Sequence, residues 1–484
     1  MNIKAISRNV GYALLVSALF MFFSIIVSVL NGNDSALAAL IISFAITFTV
    51  GIFPFIFVRK TSELTLKSGY MIIVLSWLLS FIFGMLPYVL WGGPFTVVNA
   101  WFESVSGFTT TGSTILDNVE GLPDSLLFWR SSTHFIGGLG VVVFLLLLIP
   151  NASPIRMRLT NMELSSLSKE GYNVRANKTV YIFAYVYLAL ALIAFVSYLL
   201  AGMTPFDAIC HAFSICATGG FSTRNLSIAA YDSRLIEGLT MIFMLLGSLH
   251  FGLIFLAVMT ASIKPLRNSV TRFYVGSLVV CTLFLTITLK ASGVATPFGR
   301  TLWNSAFHTL CIASTTGFAI TDNSGWPMLS NMVLVFMGLM CGCAGSTSGG
   351  IKSDRILVLF KSIIRQIERI LHPSSVKEIK VGDNALKDEE VMPLLLYISL
   401  YLLVLILSIT VAMVCGMESQ NALGASISSL GNVGPALNEL GTMGSFNSVP
   451  SAAKFLFTMD MFLGRIEIYP VLAVIAMAFS SNKK

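Results

Sequence analysis

The chain has 484 residues, of which 55% are hydrophobic and only 11% are charged, whereas a soluble protein carries roughly 25% charged residues. Its mean hydropathy of +0.83 is too high for a surface that faces water on all sides. Soluble enzymes, disordered chains and, despite a net charge of +7, nucleic-acid binders are therefore excluded as descriptions of the whole chain. The composition predicts an all-α polytopic membrane protein surrounded by lipid.

Ten hydrophobic runs are long enough to cross a bilayer, whose ~30 Å hydrocarbon core requires about 20 helical residues. The first run continues to Leu30 and favours a transmembrane helix over a cleaved signal peptide. The fourth, sixth and tenth runs are longer than necessary, so we expect tilted helices or ends outside the bilayer. The predicted spans are residues 10–30, 36–58, 69–91, 126–150, 179–201, 234–262, 271–291, 328–344, 392–415 and 452–480.

The basic residues predict the orientation, because cytoplasmic loops are enriched in Lys and Arg. With both termini and the loops 59–68, 151–178, 262–272 and 352–390 in the cytoplasm, 23 of the 30 basic residues lie inside and five outside. About eleven of the 23 carboxylates then lie outside, where a negative mouth would concentrate cations. Each of these charged residues, taken singly, is equally typical of an ordinary loop in contact with water.

An internal repeat is the most informative feature of the sequence. After an N-terminal transmembrane hairpin (9–58), the order span, short apolar segment, glycine-containing loop, span occurs four times. The short segments have about 12 residues, too few to cross a bilayer, and are predicted to be re-entrant half-helices. The repeats are predicted at 69–150, 179–262, 271–361 and 392–482, with half-helices near 97–108, 205–216, 302–314 and 418–430.

A similar tetrapeptide follows each half-helix, with its glycine spaced by 107, 98 and 117 residues from one repeat to the next. A single Thr-Gly pair would carry no information, but four at equivalent places indicate a shared role. The tetrapeptides are Thr110-Thr111-Gly112-Ser113, Ala217-Thr218-Gly219-Gly220, Thr315-Thr316-Gly317-Phe318 and Asn432-Val433-Gly434-Pro435.

The chemistry of these loops favours a cation. Non-helical backbone at membrane depth is tolerated only where it is buried or lines a water-filled cavity. Four pseudo-symmetric repeats of helix, pore helix, filter loop and helix around a central ion pore would turn carbonyl oxygens toward one path, as in potassium channels. The C-terminal ends of the half-helices carry roughly half a negative charge. The candidate site for a monovalent cation comprises Thr110, Thr111, Gly112, Ala217, Thr218, Gly219, Thr315, Thr316, Gly317, Asn432, Val433 and Gly434.

These strings and the segment from Gly342 to Lys352 resemble the TrkH/TrkG–Ktr–HKT superfamily of potassium transporters, and its bacterial TrkH branch most closely, over the whole chain. The resemblance implies K+ uptake across the bacterial inner membrane with moderate selectivity over Na+. It also implies a homodimer whose opening is controlled by a cytosolic, nucleotide-binding RCK ring of the TrkA type. Nucleotide is then expected on that partner alone, and this chain would need no cofactor besides the transported K+.

The eighth span is interrupted by small and polar residues, each glycine of which weakens a helix by about 1 kcal/mol. The resemblance implies an unwound gating loop at 342–350, while packing of small residues between helices is the alternative. A phosphate-binding loop is rejected because Ile351 separates Gly350 from Lys352 and no strand precedes it. The candidate gating residues are Gly345, Ser346, Thr347, Ser348, Gly349, Gly350 and Arg465.

Several polar residues inside the predicted spans need a role, because intramembrane charges mark function by default. The resemblance places Arg465 near the ion path, and an ion pair within the bundle, with Asp460 nearby, is the alternative. We expect structural roles for Arg130 with His134, and packing of the bundle for His250. His211 and His308 are expected to bond backbone behind the filter, and Glu103 either bonds filter-loop amides or is buried neutral.

An enzyme and a coupled symporter are the two other functions to compare with this prediction. The seven cysteines lie in apolar stretches, and Cys341 and Cys343 are too closely spaced for a zinc site. The enzyme strings Gly-x-Ser-x-Gly and His-Glu-x-x-His are absent from the sequence, so we predict a transporter rather than an enzyme. A K+ symporter coupled to H+ or Na+ is the alternative, although no midplane carboxylate relay is visible.

Overall fold

The computed structural model describes residues 3–58, 66–140, 176–293, 296–373, 378–381 and 384–481. Within these ranges six helices are long and apolar enough to cross a membrane, and a seventh span results if one bent helix pair counts as a single crossing. Their outward faces carry exposed Leu, Ile, Val and Phe side chains, as lipid-facing helices do. The predicted all-α, multi-pass membrane fold is therefore confirmed. Most of the basic segment 151–178 lies outside the described residues.

The N-terminal hairpin consists of α1 (Ile3–Leu30) and α2 (Leu37–Phe57). The two helices approach closely at Gly11, where an added Cβ would lie 2.7 Å from the carbonyl oxygen of Gly51. At the connection, Asp34 accepts hydrogen bonds from Ser28 at 2.6 Å and from Ser125 at 2.9 Å. The bond from Ser28 lies within the hairpin, and the bond from Ser125 joins the hairpin to the first repeat.

Within the described residues each of the four repeats contains four helices, and the half-helix is the third of them in the first repeat and the second in the other three. The first has α3 (Leu66–Gly84), α4 (Leu86–Trp91), α5 (Val97–Phe108) and α6 (Asp124–Leu139); the second has α7 (Ala176–Leu200), α8 (Pro205–Cys216), α9 (Arg234–Ser248) and α10 (Phe251–Met259). The third has α11 (Ser269–Ala291), α12 (Phe298–Ala313), α13 (Met328–Met340) and α14 (Ser353–Leu371); the fourth has α15 (Asp388–Val414), α16 (Ser419–Gly431), α17 (Ser451–Ile466) and α18 (Ile468–Ser481). Short 3-10 helices occupy Ser227–Tyr231, Lys264–Arg267 and Asn438–Leu440, and strands β1 (Ile379–Val381) and β2 (Asn384–Leu386) pair antiparallel with Ile379 opposite Leu386.

All four predicted half-helices are present, as α5, α8, α12 and α16. The first two begin alike, because the hydroxyls of Thr96 and Thr204 accept hydrogen bonds from the backbone N–H three residues later. Helix α12 begins at Phe298, four residues before the predicted start at 302. Their lengths of 12 to 16 residues keep them too short to cross the bilayer.

In the second and fourth repeats the last predicted span is broken into two helices, which the hydropathy did not predict, and in the third repeat the break lies at the predicted interruption of the eighth span. The run 234–262 is two helices that meet at 105°, because His250 caps a new helix by accepting the N–H of Leu253. The run 452–480 is interrupted at Glu467, which has a left-handed φ of 65°. In the fourth run, α6 ends at Leu139 and residues 141–150 lie outside the described part. Of the two expectations for the overlong runs, a single tilted helix is therefore wrong for the sixth and tenth runs.

The packing divides the molecule into two large apolar cores. One joins the hairpin, the first repeat and α17, and the other joins the second and third repeats. Each core includes residues of two half-helices, α5 and α16 in the first and α8 and α12 in the second. The C-terminal ends of the half-helices come together, because the loops that follow contact one another across repeats.

Candidate functional site

The four half-helices end in the same way, with one residue in the left-handed conformation. These residues are Thr110, Thr218, Thr315 and Asn432, with φ between 53° and 57°. In each case the next residue donates its N–H to the carbonyl five residues back, as Thr111 does to Ser106 at 2.9 Å, which is the Schellman arrangement. Threonine resists this conformation, so the surrounding packing must hold the three threonine loops in place.

The second repeat departs from the sequence prediction by one residue. Ala217 still has helical angles, and Gly219 donates to the carbonyl of Ser214 at 2.9 Å. Gly219 is therefore the counterpart of Thr111. Gly220, with a φ of 83°, is the counterpart of Gly112, which has the same φ. The equivalence of Ala217 and Gly219 with the first and third filter positions is corrected to Thr218 and Gly220.

Four close approaches join these loops into a ring. In each one, a Cβ added to the glycine of one repeat would collide with a carbonyl oxygen of the next repeat. The added carbon would lie 2.8 Å from the oxygen of Val433 for Gly317 and 2.6 Å from that of Thr111 for Gly434, and closer still to Gly219 for Gly112 and to Thr316 for Gly220. Four glycines and four carbonyl oxygens thus alternate around a closed ring, and the glycines leave no room for a side chain.

One side of the ring opens into a cavity of about 190 Å³ that all four glycines line. Asp117 also lines it and accepts a hydrogen bond from Asn447 at 2.6 Å. Arg224 is a further lining residue, but its guanidinium pairs with Asp207 at 2.8 Å. Arg130 also lines the cavity and pairs with Glu103. The mouth therefore carries both signs of charge, and both of its arginines are paired with carboxylates.

Two oxygen atoms at the first ring position are buried without a hydrogen-bond partner, Thr110 Oγ1 and Asn432 Oδ1. The amide of Asn432 is oriented by its Nδ2, which donates to Thr111 Oγ1 at 3.0 Å and to the carbonyl of Met461 at 2.9 Å. Buried polar atoms are rarely left unpaired. Oxygen atoms of this kind suit a cation as their missing partner.

A buried ion pair braces the ring from behind. Glu103 on α5 accepts from Arg130 Nε at 2.7 Å and from the N–H of Ile115 at 3.1 Å. Arg130 also lies 3.9 Å from the centre of the Phe221 ring, and His134 stacks on that ring at 4.0 Å. The structural role expected of Arg130 and His134 is consistent with these contacts, as is the bonding of filter-loop amides by Glu103.

Histidines occupy the position of Glu103 in the next two repeats. His211 Nε2 bonds with Ser222 Oγ at 2.9 Å, and His308 Nε2 bonds with Thr321 Oγ1 at 2.8 Å. Both bonds reach loop side chains outside the ring. The expected bond to backbone is present for His211, whose Nδ1 donates to the carbonyl of Asp207 on the same half-helix at 2.8 Å, and is not seen for His308. The fourth repeat has Ala425 there, so its loop must be held in another way.

The segment between α13 and α14 is an unwound, buried loop beneath the ring. The hydroxyl of Thr347 donates to the carbonyls of Gly247 at 3.1 Å and Cys216 at 3.2 Å. The N–H of Gly349 donates to Thr315 Oγ1, also at 3.1 Å. The loop thus contacts the second and third repeats directly at the ring.

Arg465 joins this loop to the first repeat. Its guanidinium donates to the carbonyls of Thr347 and Gly137, both at 2.7 Å. Asp460, the proposed partner in an ion pair, contacts Ser408, and Glu467 pairs with Arg355 at 2.6 Å. Arg465 therefore serves as a clamp on backbone carbonyls that face the space below the ring.

A set of glycines near the ends of the spans that follow the half-helices was not predicted to have a role. A Cβ on Gly137 would collide with the carbonyl of Phe108, and one on Gly464 with that of Leu430. They allow α6 and α17 to touch the ends of half-helices. A glycine near the end of each such span, at 137, 247, 338 and 464, was the available signal. Among the described residues, no three His, Cys, Asp or Glu side chains come together as a metal site.

Comparisons with known proteins match the whole fold. The family model TrkH, described as a cation transport protein, matches residues 36–484. The Trk system potassium uptake protein TrkH of Vibrio parahaemolyticus is 32% identical over 488 residues, covering 99% of both chains, and TrkH of Escherichia coli is 31% identical with the same coverage. The crystal structure of the potassium transporter TrkH from Vibrio parahaemolyticus aligns with a TM-score of 0.87, at 31% identity, over 98% of both chains.

Proposed function

This chain belongs to the TrkH family of cation transport proteins, and from that premise we propose that it takes up K+ through the ring of four loops. It is a transport protein rather than an enzyme. The proposal rests on the closed ring in which four glycines alternate with four carbonyl oxygens. Carbonyl oxygens of this kind replace the hydration shell of K+ in potassium channels. The relatives are named potassium uptake proteins, which supports K+ as the transported ion.

The part of the ring that lies inward of its four glycines can be assigned ligands in two layers. The carbonyls of Thr111, Gly219, Thr316 and Val433 form one layer. The side-chain oxygens of Thr110, Thr218, Thr315 and Asn432 form the second, inner layer. The unpaired oxygens of Thr110 and Asn432 support this layer. Other monovalent cations should pass less well, but the selectivity over Na+ should be moderate because the ring is short and offers few consecutive sites.

The loop 342–350 acts as the gate in this proposal. It lies against the inner layer through Gly349, and Arg465 ties it to the first repeat. Lys352 bonds back to the carbonyl of Ser348, and α14 begins at the next residue. Movement of α14 would therefore pull the loop, and a fixed positive charge at Arg465 would repel cations until the loop moves.

Control by a cytosolic RCK-type subunit follows from this connection, and both termini are then cytoplasmic in a bacterial inner membrane. Several relatives are named components of a "Trk system", which supports a separate regulatory component. Nucleotide would bind to that subunit. The residues 353–390 include α14 and the β1–β2 hairpin, and their Lys and Arg side chains make them the docking surface on this chain.

The exposed face of α14 supports a homodimer. One side of this helix carries a stripe of exposed apolar side chains at helical spacing, where a second copy of α14 would bury them. In a cysteine-free background, Ile367→Cys should cross-link two copies in native membranes, whereas Leu192→Cys on a lipid-facing helix should not. Equal cross-linking at both positions would contradict this interface. The stripe comprises Phe360, Ile363, Ile364, Ile367, Ile370 and Leu371.

Reversal potentials in proteoliposomes test the function and separate a channel from a symporter. We expect the potential to follow the K+ gradient, to shift little with a Na+ gradient and to be independent of a pH gradient. A potential displaced from the K+ value by an imposed pH or Na+ gradient would instead indicate coupled symport. Proteoliposomes that show no K+ dependence would contradict the proposal.

A further inference from the structure

The fourth loop of the ring differs from the other three at its glycine carbonyl. The carbonyl oxygen of Gly434 accepts a hydrogen bond from Ser428 Oγ at 2.8 Å and a second from Ser113 Oγ at 2.9 Å. Ser428 lies on the half-helix behind this loop, and Ser113 follows the glycine of the first loop. A backbone carbonyl has two lone pairs, so these two hydroxyls use the full capacity of this oxygen.

The other repeats lack this pair of donors. The counterparts of Ser113 are Phe221, Phe318 and Pro435, which carry no hydroxyl. The counterparts of Ser428 are Ser106, whose buried hydroxyl has no hydrogen-bond partner, Ser214, which bonds with His134, and Cys311, which donates to the carbonyl one position beyond the glycine. Among the described residues, the two-hydroxyl bond to a ring glycine is thus confined to the junction of the fourth and first repeats.

The backbone of the fourth loop is also different. Gly434 has a φ of 99°, whereas Gly112, Gly220 and Gly317 have φ between 79° and 83°. Pro435 follows it, and a proline restricts the conformation of the residue before it. The hydrogen bonds, the backbone angle and the neighbouring residue all set Gly434 apart from the other three glycines.

We propose that the outermost ion site of the ring has three carbonyl ligands, from Gly112, Gly220 and Gly317, because Ser113 and Ser428 hold the carbonyl of Gly434 away from the ion. This inference rests on the proposed K+ filter and adds Ser113 and Ser428 as residues that set the affinity of its outer site. Water from the cavity above takes the fourth position. A site with one fewer fixed ligand binds K+ less tightly and exchanges it more readily with the cavity, which conduction requires.

The double variant Ser113→Ala/Ser428→Ala tests the inference, with Ser106→Ala as the matched control. Freed from both hydroxyls, the carbonyl of Gly434 can turn toward the ion as a fourth ligand. We expect the K+ concentration at half-maximal flux to fall by about threefold or more in the double variant and to stay at the parent value in Ser106→Ala. The K+ concentration that gives half-maximal thermal stabilisation in detergent should fall in parallel, since a ligand that binds only the folded state stabilises it.

The outcomes separate this inference from the function on which it rests. A folded double variant with parental half-saturation in both measurements, or with weaker K+ binding, would overturn the three-ligand site while leaving a K+-selective parent intact. A shift of equal size in Ser106→Ala would also overturn it, because the loss of any half-helix serine would then suffice. If the parent and Ser106→Ala fail to distinguish K+ from Na+ in reversal potentials, the filter itself is wrong and this inference fails with it.

Discussion

Replacing Gly220 with alanine should remove most of the preference for K+ over Na+. The new Cβ would point at the carbonyl oxygen of Thr316 in the next repeat and would force a residue with a side chain to keep a φ of 83°. To relieve the collision the carbonyl of Thr316, a ligand of the ring, must shift away from its position for K+, and a loss of 1.4 kcal/mol in the preference for K+ over Na+ corresponds to about tenfold. We therefore expect the K+/Na+ permeability ratio, measured from reversal potentials, to fall by about tenfold or more.

Two other glycines provide the comparison. Gly276→Ala on α11 should leave the ratio unchanged, because nothing lies near an added Cβ there. Gly219→Ala should mainly lower thermal stability, since its Cβ would enter the His134 ring behind the loop. If Gly219→Ala changes the ratio and folded Gly220→Ala does not, the one-residue correction in the second repeat is wrong.

That correction shows how far the sequence determines the ring. Length and the repeated strings were enough to predict four half-helices, because an apolar segment of 12 residues between two spans has few other structures open to it. The register of the second loop was ambiguous, since Gly219 and Gly220 are adjacent and either could fill the glycine position. The end of α8 at Cys216 decides the matter, and helix ends are the least certain part of a sequence prediction.

The breaks in the second and fourth repeats could not be predicted from the sequence for a different reason. Hydropathy reports only whether residues tolerate an apolar environment, and Leu249 and Ile466, beside two of the breaks, tolerate it. A break inside the membrane leaves backbone groups without their helical hydrogen bonds, and buried polar side chains replace those bonds. Arg465, for example, donates to the carbonyls of Thr347 and Gly137. Contacts between residues hundreds of positions apart, such as Ser113 with Gly434, leave no local pattern in one sequence.

Deleting residues 346–350 should raise the basal K+ flux and weaken its dependence on a cytosolic regulator, with selectivity retained. The deletion removes the N–H that Gly349 donates to Thr315 and the carbonyl of Thr347 that Arg465 binds, so the closed state loses its clamp. A hydrogen bond to a charged group contributes about 1.5–3 kcal/mol. Its loss from the closed state alone would raise the open fraction of a mostly closed protein by about tenfold or more.

Milder variants should move the flux in the same direction without shortening the chain. Arg465→Ala removes both carbonyl contacts at once, and Thr347→Val removes the hydroxyl that bonds Gly247 and Cys216. Thr260→Val is the matched control, because its hydroxyl makes a similar bond to the carbonyl of Leu256 at an exposed helix end. Flux into liposomes without the regulator is the measurement. If the deletion variant and Arg465→Ala both fold and show the same basal K+ flux as the parent, the loop only fills space between helices. The element that closes the pore would then have to lie in the ring itself.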